Sequence, residues 1–309
     1  MEGEKGMMRL LQRFFRFLRQ NRSGIIRFLL LLVIGTAILL PLLALIASSG
    51  KDLYGLIDPL VKWVPREFHF RNYKLAFSTM GGLPTLLNSL KLYLSTALVQ
   101  VLSSAVIAYG FARYGFRGRG ILYAAMIFTF FMPQQVLMLP RYVLFAKYDI
   151  LATEWTLLLP AAFGQGMKQT VLILIFWQFM RTIPVSLEEA AMIDGCSLPG
   201  IFLRIGIPLA APGFVINSVL AFAWNWNDAF FADVYFKGKI NTMTLALANI
   251  KAYYNSQGLA GASFEADQVI HAGVEAAAAI MVIAVPLLLF LLLEKRLIES
   301  VDRAGITGE

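Results

Sequence analysis

Residues 183–208 read IPVSLEEAAMIDGCSLPGIFLRIGIP, from Ile183 to Pro208, and join two apolar stretches, 157–180 and 208–232. The pattern is that of two short helices separated by a turn. Ser186 followed by Glu189 has capping-box spacing, in which each side chain satisfies a backbone donor at a helix start. Gly195 supplies a left-handed stop. Ser197 is placed to cap a second helix that runs to Ile205, before Pro208 opens the next stretch. Acidic residues near the first helix start also suit its dipole. Ala190, Ala191 and Gly195 let another protein's surface approach closely, while Glu188, Glu189 and Asp194 stay available for polar contacts. Such a protrusion either receives force from a partner or rests on the membrane surface.

The flanks decide the class. A helix rising 1.5 Å per residue needs about 20 apolar residues to cross the hydrocarbon layer. Stretches of that size occupy 25–47, 86–112, 121–146, 157–180, 208–232 and 274–293. The chain is 58% hydrophobic and 15% charged, against roughly 25% charged in soluble domains. None of the stretches alternates as a barrel strand would, so helices must hide the backbone. The expectation is an all-α polytopic membrane protein with six transmembrane helices in one membrane domain. Pro133, Pro140 and Pro286 fall within these stretches, and Gly164, Gln165, Gly166 and Lys168 interrupt the fourth near its outer end.

Charge orients the chain. Lys5, Arg9, Arg13, Arg16, Arg19 and Arg22 precede the first stretch and Arg27 lies at its start, and Arg113, Arg117 and Arg119 fill a short link after the second. Positive residues mark cytoplasmic loops, so both termini are expected inside, the C-terminal one with Lys295, Arg296 and Arg303. The expected organisation is a basic segment 1–24, a first transmembrane helix 25–48, an extracytoplasmic loop 49–84, a core 85–296 and a tail 297–309. The core includes the cytoplasmic link 181–207 and a second outer loop, 233–273. Leu10, Leu11, Phe14, Phe15 and Leu18 share one helical face with Arg9, Arg13 and Arg16 opposite. That suits either contact with the headgroups of membrane lipid or a plain topogenic extension.

Several classes are excluded. Cys196 is the single cysteine, so no internal disulfide or cysteine metal cluster forms, and His69 and His271 are far apart. No metal site, catalytic residue or nucleic-acid partner is expected. Glu275, Lys91 and Lys168 are ionisable but sit near helix ends, where long side chains reach water. A stand-alone secondary transporter would show repeated halves, and none is evident. No Gly-x4-Gly-Lys-Ser/Thr loop is present to cradle phosphates.

Glu189-Ala190-Ala191, Gly195 and Ile205-Gly206-Ile207-Pro208 together resemble the EAA motif of ABC-importer permeases, with Ile207 where leucine is usual. The wider resemblance is to the carbohydrate-uptake group, typified by the second membrane subunit of the maltose importer. It runs from about Asn72 to the end and includes Asn88-Ser89-Leu90, 108–118, Met132-Pro133, Leu139-Pro140, 224–227 and 304–308. The resemblance implies the type I importer permease fold with a cytoplasmic coupling helix, in a bacterial or archaeal cytoplasmic membrane. It implies three partners: a homologous second permease, a cytoplasmic ABC ATPase dimer holding ATP and Mg, and an extracytoplasmic solute-binding protein. This chain would bind no cofactor itself. Glu188, Glu189, Ala190, Ala191, Asp194 and Gly195 would be the ATPase-coupling residues. Phe222, Trp224, Asn225, Trp226 and Asn227 mix aromatic faces with amides and are candidates for the substrate pathway. Tyr254, Asn255 and Gln257 are candidate binding-protein contacts. The expected cargo is a sugar or oligosaccharide, with an acidic oligosaccharide or glycerol phosphate as the alternative.

Overall fold

A computed structural model describes residues 22–61, 63–252 and 270–306. The described residues form helices and connecting turns, without a strand. In chain order the helices are α1 (Arg22–Ser49), α2 (Leu53–Ile57), α3 (Arg71–Thr79) and α4 (Gly82–Arg113). Next come α5 (Arg119–Phe131), α6 (Gln134–Lys147), α7 (Trp155–Ala162), α8 (Gln169–Thr182) and α9 (Val185–Ile193). The remainder are α10 (Leu198–Leu209), α11 (Ala211–Trp226), α12 (Phe230–Phe236), α13 (Met243–Ala248) and α14 (Ala272–Ile306). The proposed amphipathic face at Leu10–Leu18 lies outside the described residues.

The centre is α4, and its sequence explains why. Ser89, Tyr93, Thr96, Ala97, Gln100, Ser104, Ala105 and Ala108 recur every three or four residues and are buried. Leu94, Leu98, Leu102 and Val106 lie on the opposite, exposed face. In lipid the apolar side chains gain nothing by hiding, so small and polar residues mark the helix–helix seam. Through that seam α4 packs against α7, α8 and α11. In turn α14 packs on α11 and on the strongly apolar α1.

Three helices are long and apolar enough to cross a membrane, and three bent pairs raise the number to six if each is one span. The bends differ from the gentle kinks that single prolines suggest. At Met132 and Pro133 the chain turns through 104° between α5 and α6, and α10 meets α11 at 78°. Pro140 and Pro286, by contrast, stay inside helices. The fourth apolar stretch is divided into α7 and α8 by residues 163–168, where Gly164 and Lys168 take positive φ.

Proline frees a carbonyl four residues upstream because it has no N–H. For Pro286 that carbonyl belongs to Val282, and the indole N–H of Trp226 donates to it at 3.0 Å. Trp226 is fully buried, between Tyr93 and Phe222. Trp226→Phe orphans the carbonyl, which should destabilise the protein by about 1–3 kcal/mol, and leaves a cavity that adds a packing loss. Adding Pro286→Ala returns a backbone donor and should recover part of the loss. Thermal melts of the detergent-purified chain measure both; equal losses in the single and double variants would refute this account.

Candidate functional site

The link 183–208 folds as a short helix, α9, followed by a turn and α10. Pro184, extended at φ −59° and ψ 129°, occupies the N-cap position, and no side chain caps the helix. The capping box expected from Ser186 and Glu189 is therefore absent: Ser186 already lies inside the helix that Pro184 starts. The stop is as expected. Gly195 has φ +79°, and the Cys196 N–H returns to the Ala191 carbonyl at 2.9 Å. Ser197 takes the N-cap position of α10 without a side-chain cap bond. The second helix passes beyond Ile205 through a π-helical turn at Phe202–Gly206.

Glu188 departs from its expected role. It is 4% exposed and its carboxylate forms an ion pair with Arg113, Nε to Oε1 at 2.9 Å. The same guanidinium donates from Nη2 to the Ile183 carbonyl at 2.7 Å. Arg113 closes α4, where a cation complements the helix dipole. One side chain thus ties the start of α9 to the end of the central helix. Glu188 is occupied inside the chain, while Glu189, Ala190, Asp194 and Gly195 are exposed and Ala191 is half-buried. Around them Val185, Leu187, Met192 and Ile193 present apolar side chains outward, Ile193 at 87% exposure.

The aromatic and amide cluster of α11 divides by helical face. Phe222, Asn225 and Trp226 are buried, and Asn225 Nδ2 donates to Gln100 Oε1 at 2.8 Å. Phe222 and Trp226 pack into the bundle, whereas Asn225, though buried, also lines a small niche shared with Thr96 and Asp228. Trp224 is half-buried, with the Lys168 ammonium 5.2 Å from its ring centre. Asn227 is exposed, and its amide donates to the Ala223 carbonyl. Tyr254, Asn255 and Gln257 lie outside the described residues. Among the described residues no group of three His, Cys, Asp or Glu is placed to hold a metal ion. Two ionisable residues near helix ends are paired at the surface, Lys91 with Glu154 and Glu275 with Lys251.

Gln100, Gln169 and Arg141 escaped the sequence reading. Gln169 donates to Ser103 Oγ at 2.7 Å and to the Ala161 carbonyl at 2.9 Å, and accepts from the Gly166 N–H at 2.6 Å. Gln100 donates to the Met167 carbonyl at 2.6 Å. The available signal was an amide or a cation inside an apolar stretch, which the bilayer tolerates only where a partner waits.

Residues 100–302 match the family described as binding-protein-dependent transport system inner membrane component. A probable ABC transporter permease protein of Pyrococcus horikoshii is 30% identical over 268 residues, 85% of this chain and 90% of that one. A trehalose transport system permease protein of Mycobacterium tuberculosis is 30% identical over 278 residues, covering 90% and 95%. A chain from the crystal structure of a bacterial ABC transporter, involved in import of the acidic polysaccharide alginate, shares the fold. It superposes with a TM-score of 0.71 at 20% identity, over 90% of this chain and 97% of that one. The chain belongs to the binding-protein-dependent transport system inner membrane component family. It is accordingly a multi-pass membrane permease of an ABC importer, a transport component rather than an enzyme.

Breaking a buried ion pair from one side costs about 3–5 kcal/mol, because the other charge is left without compensation. Glu188→Gln and Arg113→Gln should each lower stability on that scale, and the double variant should lose less than their sum. A double-mutant cycle on thermal melts tests this; strict additivity would show that the pair does not clamp α9.

Proposed function

We propose that this chain is one of two permease subunits in an ATP-driven importer of sugars or oligosaccharides, with α9 as the helix through which the ATPase acts. The observation that carries this reading is the asymmetry of α9. One side is clamped to α4 through Arg113 and Glu188, and the other shows uncovered apolar and acidic side chains. A helix held rigidly from behind passes on a push, and an uncovered front accepts a partner's surface. Glu189, Ala190, Ala191, Asp194 and Gly195 form that front, and Glu188 anchors it. The resemblance of this segment to the EAA motif supports the same assignment.

In this reading α9 faces the cytoplasm together with Arg113, Arg117 and Arg119, and both termini lie on that side. The proposed organisation is a basic segment 1–24, a first transmembrane helix 25–48, a loop 49–84, a core 85–296 and a tail 297–309. A homologous permease covers part of the exposed apolar surface, and lipid covers the rest. ATP and Mg are held by the ATPase dimer, and this chain binds neither. A solute-binding protein delivers cargo at the opposite face, where Tyr254, Asn255 and Gln257 are the proposed contacts. The trehalose permease among the relatives supports a saccharide cargo.

The test is ATP hydrolysis by the complex, purified through a tag on this chain and placed in lipid discs. Cargo-loaded binding protein should stimulate hydrolysis. A Cβ at Gly195 would meet nothing within 4 Å, so substitution there strains the turn without a clash. Gly195→Asp also adds a charge to the docking face, and should abolish most of the stimulation while the complex still assembles. Gly195→Asn, which tolerates the left-handed region better, should retain more. A well-folded chain that brings no ATPase with it would overturn the importer reading.

A further inference from the structure

The structure also contains a cleft away from α9, between α6, α8 and the break that separates α7 from α8. It measures about 440 Å³ and is lined by Gln134, Arg141, Gln165, Lys168 and Thr170 among others. That size is within the range of small-ligand sites. An adjoining niche of about 30 Å³ shares Gln134, Arg141 and Gln165 with the cleft and is walled by Thr96, Asp228 and Tyr235. Thr96 lies roughly 25 Å along α4 from Arg113, so both cavities open far from the docking helix.

Arg141 stands where the two cavities meet, inside one of the broken spans. Its Nη2 donates to the Gln165 carbonyl at 3.0 Å. A guanidinium has five N–H donors, and Arg141 pairs with no carboxylate among the described residues. A guanidinium with free donors and no carboxylate partner, beside a cleft, is available to an anionic ligand.

Tyr235 is a second, independent observation. It is 3% exposed, and its hydroxyl has no hydrogen-bond partner among the described residues. The ring is held edge-on to Phe145 and stacked with Phe231, with centroids 5.3 and 6.0 Å away. A buried hydroxyl without a partner forfeits the hydrogen bond it makes in water, and this one lies on the niche wall. Lys168 brings a further cation to the cleft, over the face of Trp224. Asp228, on the same wall, caps α12 through the Phe231 N–H at 3.1 Å.

We infer that Arg141 and Tyr235 form a selectivity site for the carboxylate of an acidic saccharide; this rests on the importer reading and names its cargo class. A carboxylate takes paired hydrogen bonds from a guanidinium in a geometry that no single hydroxyl reproduces. The Tyr235 hydroxyl donates to the same group. Asp228 accepts from sugar hydroxyls, and Lys168 raises the local potential for an anion. A neutral sugar would leave the guanidinium uncompensated.

The test uses the whole complex, purified through a tag on this chain in lipid discs, with binding measured calorimetrically. The probes are trigalacturonate, its methyl ester and glycerol phosphate. Wild type should bind trigalacturonate at least about ten-fold more tightly than the uncharged ester. Arg141→Gln should erase that difference, Arg141→Lys should restore part of it, and Tyr235→Phe should weaken acid binding by roughly five-fold. The Tyr235 hydroxyl supports no neighbour, so its removal leaves the fold intact. Equal affinity for acid and ester in wild type would overturn the proposal, as would variants that bind like wild type. Preference for glycerol phosphate would overturn the carboxylate assignment. Loss of the second permease from the Arg141→Gln complex would place the guanidinium in a subunit contact, and also overturns it. A complex that contains the ATPase and ignores trigalacturonate sinks the selectivity site alone, whereas a missing ATPase counts against the importer reading.

Discussion

Within a bilayer there is no water to receive a backbone group released by a broken helix, so every break must be satisfied by protein. Much of this structure follows from that constraint. The interruption between α7 and α8 releases the Ala161 carbonyl, the Gly166 N–H and the Met167 carbonyl, and the amides of Gln169 and Gln100 take them up. The carbonyl released by Pro286 is taken up by Trp226. Each satisfier must be buried where the break occurs. That requirement, rather than hydrophobicity, sets which face of α4 and α11 turns inward.

The same requirement makes the bundle stiff along a particular route. Arg113 joins α9 to α4, and Gln100 joins α4 to α11 through Asn225. Side-chain amides and ion pairs held on both sides have narrow geometric tolerance, unlike the apolar contacts around them. A displacement of α9 is therefore shared between α4, through Arg113, and the chain-continuous α8 and α10, the latter leading directly into α11. Contiguity of this kind is a physical route for coupling, and its use depends on the bundle having two arrangements to choose between.

The outline was legible in the sequence because it depends on composition over about 20 residues. The stretch 86–112 lies within α4, and 274–293 lies within α14. Gly195 was legible because only a positive φ suits a helix stop there. What escaped depends on partners distant in the chain. Nothing in 183–208 says that Glu188 turns inward, because Arg113 is supplied by another helix. Pro286 announces an orphaned carbonyl at Val282, yet the donor comes from 56 residues away. The division of the α11 cluster was recoverable: Ala221, Phe222, Asn225 and Trp226 share the spacing of one helical face, and Trp224 and Asn227 fall off it.

The bond between Gln100 and Asn225 also bears on how the chain is made. The two residues are 125 positions apart, and synthesis proceeds at about 5–20 residues per second. For roughly 6–25 s after Gln100 leaves the ribosome, its final acceptor and donor set does not yet exist. During that interval the polar face of α4 has only its earlier partners, the Met167 carbonyl and the Gln169 amide. The polar face of the central helix is therefore satisfied in stages, first by Met167 and Gln169, then by α11, and last by Thr242 and Met243.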